Sequence, residues 1–366
     1  MIVYLSVALF AALVTATSVY CLLKIAPKFW ALREVRPRDV HTVPTLRIGG
    51  IPMFVAFLFS IALARFIPYF SDVFRTADPV LTSLVIAVSV ITLLGFLDDL
   101  FELHWLIKLL GQIFSAAIVS VMSRGIFHSF TGGDLSWLLT IASIVLIVTT
   151  MNAINFIDGL DGLAAGVCLI GNGVFFVYIY FFTREISPSN YFNLVGLLAA
   201  ILFGICAGFI PFNWRPAKLF MGDSGALLLG LVMSVAATTA VAQASAVTFV
   251  RRAHYVPAFI PILLPFAVLG LPILDLLFAI MRRLLSFKSP FNPDKKHLHH
   301  RMLHMGHSSV ATVVIFYAWS GVVSGGMLLF LFTSTIFAVL FLLFGVLVCL
   351  IFTFLPIVRK RSWNRN

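Results

Sequence analysis

Apolar stretches of about twenty residues recur along the whole chain, each closed by a short polar segment. A helix of that length matches the hydrocarbon core of a bilayer, roughly 30 Å thick. Read in order, the pattern predicts eleven spans, at 2–23, 46–66, 79–97, 106–123, 135–153, 160–182, 192–212, 218–243, 256–280, 311–330 and 332–356. All are expected to be helices, because lipid offers no water to unpaired backbone groups. The fold class is therefore all-α, a polytopic membrane bundle of about eleven transmembrane helices. The apolar start, Met1 to Leu23, is too long for a cleavable signal and lacks its basic flank, so it reads as the first span. No soluble insertion, internal repeat or low-complexity tract interrupts the pattern, and residues 1–366 read as one integral membrane domain.

Composition agrees. Of 366 residues, 61% are hydrophobic and only 11% are charged, too few charges for a soluble surface. The net charge of +11 would suit a polyanionic partner, but its placement argues against nucleic acid. With the N-terminus outside, only Arg65, Arg75, Arg124, Arg184, Arg251 and Arg252 fall on the outer side; the other nineteen of the 25 basic residues face inward. This bias fixes N-outside, C-inside in the cell's inner membrane. The four cysteines, Cys21, Cys168, Cys206 and Cys349, lie within apolar spans without CxxC spacing, so they indicate neither a disulfide framework nor zinc.

Once Lys and Arg have set the topology, four polar motifs fall on the inner face. Ionisable groups at membrane edges are costly and usually functional. The first is Asp98-Asp99, followed by Lys108. Adjacent carboxylates repel and are best tolerated beside a cation; a hard ion such as Mg²⁺ takes carboxylate and phosphate oxygens. A solvated helix end explains this pair about as well. The second runs Asn152-Ala-Ile-Asn155-Phe-Ile-Asp158-Gly159-Leu160-Asp161-Gly162-Leu163. On a helix, residues three apart share a face, so Asn155, Asp158 and Asp161 would project together; the simpler alternative is an Asp-Gly turn. The third, Phe220-Met-Gly-Asp223-Ser-Gly225, opens span eight, where Asp223 could cap the helix or hold a metal. Its glycines would let a phosphate approach the positive helix end. The fourth is His297-Leu-His299-His300-Arg301, after Lys295 and Lys296 and before His304 and His307. Zinc is its rival reading, disfavoured by the flanking cations, and lipid-headgroup contact accounts for part of the basic charge.

Together these motifs resemble the polyprenyl-phosphate N-acetylhexosamine-1-phosphate transferase superfamily, glycosyltransferase family 4. The resemblance runs from Pro44-Thr-Leu-Arg-Ile-Gly49-Gly50 through Arg301. It implies a cytoplasmic catalytic cleft built from loops around 36–50, 98–108, 152–163, 213–225 and 282–307, often in a homodimer. It implies transfer of N-acetylglucosamine-1-phosphate from UDP-N-acetylglucosamine to a polyprenyl phosphate, undecaprenyl or decaprenyl, with release of UMP and initiation of a lipid-linked envelope glycan. Mg²⁺ is the implied cofactor, with Mn²⁺ an alternative. By position, Asp98 and Asp99 match the aspartate pair near the lipid phosphate, and Lys108 matches a phosphate-contacting lysine. Asn155 and Asp223 match the metal and diphosphate positions, and Asp99 is a further candidate for the metal. Asp158 and Asp161 match the nucleotide side, and Phe220 an aromatic that stacks on uracil. His297, His299, His300 and Arg301 match the loop that closes over diphosphate and sugar. The order His-Leu-His-His follows the wall-polysaccharide and teichoic-acid branch; the muramyl-pentapeptide branch more often carries three consecutive histidines. Another UDP-N-acetylhexosamine, or UDP-N-acetylmuramoyl-pentapeptide, is the alternative donor.

Two other classes fit less well. A membrane prenyltransferase needs two Asp-rich metal motifs and leaves the histidine and Gly-Asp-Ser-Gly segments without a task. A transporter should hold its charges near the bilayer midplane, where only Asp275 is expected.

Overall fold

The computed structural model describes residues 1–29, 45–122, 136–186, 194–248, 260–286 and 297–363. Lys295, Lys296, Pro44 and several basic residues of the topology argument (Arg33, Arg36, Arg38, Arg124, Arg251, Arg252, Lys288, Arg365) lie outside them.

The described chain is helical, with one isolated parallel bridge between Leu46 and Leu219. The helices are α1 (Ile2–Phe29), α2 (Gly50–Phe66), α3 (Ser71–Thr76), α4 (Asp78–Phe101), α5 (Trp105–Met122), α6 (Ser136–Ile157), α7 (Leu163–Ile186), α8 (Leu194–Asn213), α9 (Gly222–Thr248), α10 (Ile260–Leu285), α11 (Leu298–His304), α12 (Ser309–Leu329) and α13 (Thr335–Trp363). Nine of them are long and apolar enough to cross a membrane. The count is ten if α2 and Pro68–Thr76, set at 92° to each other, form one broken span; Pro68 cannot continue the hydrogen-bond ladder there. The long helix α10 occupies the place of the remaining expected span. The chain is thus a multi-pass membrane bundle, as the hydropathy pattern predicts.

Close packing comes from small residues. A Cβ on Gly204 or Gly208 of α8 would strike the Ala8 or Ala12 carbonyl of α1 at 2.1 or 2.2 Å, which is how membrane helices without a hydrophobic drive between them gain contact. Helix α9 sits at the centre, touching α2, α4, α6, α7, α8 and α10. Its most apolar window is 89% buried, against 11% for the peripheral α13. The helix that begins with Gly222-Asp223 is therefore the most enclosed in the bundle, and the end that presents Asp223 is the natural floor of a site.

Candidate active site

The four motifs meet at one end of the bundle. Asp99, near the end of α4, caps α9 from outside: its Oδ1 accepts the Asp223 amide at 2.9 Å, and its Oδ2 accepts the Ser224 amide at 3.1 Å and the Ser224 hydroxyl at 2.9 Å. A helix N-terminus leaves its first amides without intrahelical partners, and here a buried carboxylate from a neighbouring helix takes two of them. Asp223 is thereby relieved of capping. Its Oδ2 instead meets Lys108 Nζ, which also donates to Asp98 Oδ2 at 2.8 Å. Asp98 Oδ1 accepts the Leu103 amide at 2.8 Å, holding the α4–α5 corner. The Asn155 side chain approaches the Asp223 carboxylate from the end of α6.

Gly222 makes the approach possible. Its φ is +71°, and a Cβ there would lie 2.3 Å from the Arg47 carbonyl and 2.5 Å from Asp99 Oδ2. The Arg47 segment is held by Phe220, whose amide donates to the Leu46 carbonyl at 2.8 Å and whose carbonyl accepts the Gly49 amide at 3.0 Å. The Arg47 guanidinium lies over the Phe220 ring, 5.9 Å from its centroid.

The second motif departs from expectation. Helix α6 ends at Ile157, so Asp158 and Asp161 stand on the turn before α7 and not on one helical face. Two Asp-Gly pairs explain the break, with Gly162 at φ +76°. The turn is tethered from below. Asn213, 1% exposed, accepts the Gly162 amide at 3.0 Å and donates to the Leu219 carbonyl at 2.9 Å. Tyr317 donates to the Gly162 carbonyl at 2.5 Å, and the Ala217 amide donates to Asp161 Oδ2 at 3.2 Å.

The histidine motif packs onto this turn. A Cβ on Gly159 would fall 2.2 Å from His299 Nε2, so the glycine lets the ring seat against the backbone. His299 is 2% exposed and lies between His297, stacked at 5.9 Å, and His300 at 4.3 Å. Arg301, by contrast, is exposed on α11. Among the described residues no group of three or more His, Cys, Asp or Glu is placed to hold a metal ion by protein ligands alone.

Burial pushes the Asp158 carboxyl up to about 7; the charges of Asp223 and Asp161 add to the rise and Arg47 opposes it. Burial also pushes the His299 imidazole down to about 3, with neighbouring His300 and His297 lowering it and Asp275 opposing them. His299 is therefore neutral near pH 7. For Asp158 the folded value exceeds the unfolded 3.8, so the folded state binds the proton more tightly. Its destabilising effect is absent below about pH 4, grows up to about pH 7 and is constant above that. Without divalent cations, Asp158→Asn should melt above the wild type at pH 8, with the gap closing towards pH 4. Melting curves in detergent across that range check this.

The structure thus brings together Asp98, Asp99, Lys108, Asn155, Asp158, Asp223, His297, His299 and His300, with Phe220 and Asp161 at the margin. Sequence reasoning missed Ser224, Asn213 and Tyr317 as supports of the site. It placed Arg47 in the Arg-Ile-Gly-Gly run of the resemblance without giving it a role.

The chain is similar to several known proteins. A family model described as glycosyl transferase family 4 matches residues 81–241. A decaprenyl-phosphate N-acetylglucosaminephosphotransferase of Mycobacterium leprae is 35% identical, over 97% of this chain and 91% of the relative. A protein of Bacillus subtilis named probable undecaprenyl-phosphate N-acetylglucosaminyl 1-phosphate transferase is 29% identical, over 88% of this chain and 83% of its own. A phospho-N-acetylmuramoyl-pentapeptide-transferase of Acetivibrio thermocellus is 29% identical, but over only 38% of this chain and 45% of its own.

Proposed function

Because the chain belongs to glycosyl transferase family 4, we propose that it transfers N-acetylglucosamine-1-phosphate from UDP-N-acetylglucosamine to a polyprenyl phosphate in the membrane, releasing UMP. The observation that carries this reading is the Asp98–Lys108–Asp223 bridge, next to the turn on which His299 seats at Gly159: an ammonium for phosphate oxygens beside carboxylates for a divalent ion, at one end of a membrane bundle. N-acetylglucosamine is favoured over N-acetylmuramoyl-pentapeptide because near-full-length similarity is to proteins named for the former. The same relative favours a decaprenyl carrier. The positive-inside bias supports N-outside, C-inside and a cytoplasmic active site.

In this reading a lipid phosphate oxygen attacks the β-phosphorus of the nucleotide sugar. A new P–O bond forms, the bond from the β-phosphorus to the bridging oxygen breaks, and UMP leaves with that oxygen. All reactants are anionic, so the protein's work is alignment and charge neutralisation. Lys108 receives phosphate oxygens, and Asp98 fixes its ammonium between the two carboxylates. Asp98 is not needed as a base, because a phosphomonoester is mostly dianionic near neutral pH. Asp223 and the Asn155 amide oxygen fit Mg²⁺, which is commonly bound by one or two carboxylates plus substrate phosphates. When bound, it would offset the charge on the diphosphate. Asp99, also expected at the metal, accepts the α9 amides and the Ser224 hydroxyl with its two oxygens; in this reading its main work is to position Asp223. Asp158 and Asp161 face the nucleotide, Phe220 offers a ring to uracil, and His299 presents a neutral imidazole to the diphosphate-sugar.

Purified protein given UDP-N-acetylglucosamine, polyprenyl phosphate and Mg²⁺ should release UMP, with none in EDTA. Release of pyrophosphate from a prenyl diphosphate would instead indicate a prenyltransferase. Gly159→Ala forces the His299 ring from its seat. It should destabilise the protein by about 1–3 kcal/mol and raise KM for the nucleotide sugar more than KM for the lipid. Melting and steady-state kinetics on both substrates check it.

A further inference from the structure

Asp275 stands within the apolar helix α10 and is 2% exposed. A carboxyl group at such a place is costly and calls for a task. Its Oδ1 accepts the Leu298 amide at 2.9 Å, an N-terminal amide of α11. Its Oδ2 lies 3.4 Å from Nδ1 of His297. His297 precedes α11 and makes no capping bond with its own side chain, so the cap comes from α10.

From His297 the contacts continue to the site. Its ring lies 5.0 Å from Phe156 and stacks on His299 at 5.9 Å with the two planes 5° apart. His299 in turn seats on Gly159, in the turn that carries Asp158. Both ring nitrogens of His299 are buried and have no hydrogen-bond partner among the described residues. Buried polar atoms of this kind are normally satisfied; Nε2 faces the Gly159 backbone, which leaves Nδ1 for a ligand group, and the placement of the ring is shared with the His297 ring stacked on it.

We infer that Asp275 is a positioning residue: through the Leu298 amide and His297 Nδ1 it fixes the His297–His299 stack against the Asp158-Gly159 turn, and thereby sets the geometry that receives the nucleotide diphosphate-sugar. This inference rests on the function proposed above for that site. A carboxylate facing one nitrogen of a histidine fixes which nitrogen carries the proton and how the ring is turned. The 3.4 Å separation is long for a hydrogen bond, and such contacts commonly tighten once substrate is bound.

Asp275→Asn separates the two arms. Its amide oxygen can still accept the Leu298 N–H, whereas the negative oxygen facing His297 is lost. The variant should melt like the wild type. It should lower kcat/KM for UDP-N-acetylglucosamine by about 10- to 100-fold and leave KM for polyprenyl phosphate unchanged. In a His297→Ala background, adding Asp275→Asn should change kcat/KM less than about twofold, because the partner is already gone. Hydrogen exchange over residues 297–304 should be faster in Asp275→Asn than in the wild type. Wild-type kinetics in Asp275→Asn, equal losses for both substrates, or an undiminished effect without His297 would each overturn the inference. If the wild type itself releases no UMP, the proposed function fails; unchanged exchange over 297–304 would then still overturn the positioning role, and faster exchange would support it.

Discussion

Asp223→Asn should lower transfer at least about 1,000-fold while the purified protein melts within a few degrees of the wild type. The carboxylate sits where three features converge: the Lys108 ammonium, the Asn155 side chain and the start of the central helix. Asn keeps the shape and an acceptor oxygen for Lys108, so the packing survives. It removes the negative charge that balances Lys108 and that would hold a divalent ion against the diphosphate. Helix α9 needs nothing from this side chain, because its first amides are taken by Asp99. Steady-state UMP release together with a melting curve checks both halves. A variant retaining full turnover would remove Asp223 from the metal and phosphate machinery.

Asp99→Ala should behave in the opposite way, with stability lost first. Asp99 is 9% exposed and accepts three hydrogen bonds, two from backbone amides and one from the Ser224 hydroxyl. Deleting it orphans donors at the end of the most buried helix, where each unsatisfied group costs about 1–3 kcal/mol and a lost cap about 0.5–2 kcal/mol. A destabilisation of about 2–4 kcal/mol is expected once partial relaxation is allowed for. Asp99→Asn should fall between Asp99→Ala and wild type, since its single amide oxygen can replace part of the acceptor set. The two neighbouring aspartates thus separate by role: Asp98 holds the ammonium, and Asp99 holds the helix that presents Asp223. Equal melting of Asp99→Ala and wild type would contradict that division.

The spans were legible because burial in lipid demands about twenty apolar residues, and nine of the eleven, or ten with the bent α2 pair, are met by helices long and apolar enough to cross a membrane among the described residues. Where Lys, Arg, Asp and His fall between spans was enough to collect the motifs at one end. The division of labour within the motifs was not legible. Asp98 and Asp99 are alike in sequence, and only the direction in which α9 meets α4 decides which one becomes a cap. The spacing of Asn155, Asp158 and Asp161 suits a helical face, but Gly159 and Gly162 make the turn cheaper than another helical turn, and Asn213 and Tyr317, distant in sequence, fix it there. Arg301 looks equivalent to its histidine neighbours in sequence yet faces outward, because α11 exposes one side. Asp275 was visible as a charge inside an apolar helix, but its contact with the histidine segment depends on how α10 packs and could not be read from spacing.

The central claim is that phosphate travels with the sugar to the lipid. The most direct test uses UDP-N-acetylglucosamine labelled with ³²P at the β-phosphate and ³H in the sugar, incubated with purified protein, polyprenyl phosphate and Mg²⁺. Both labels should enter the organic phase in the ratio of the donor, matched mole for mole by UMP in the aqueous phase. Transfer of tritium alone with release of labelled UDP, or no lipid-soluble label with active substrates, would contradict the account.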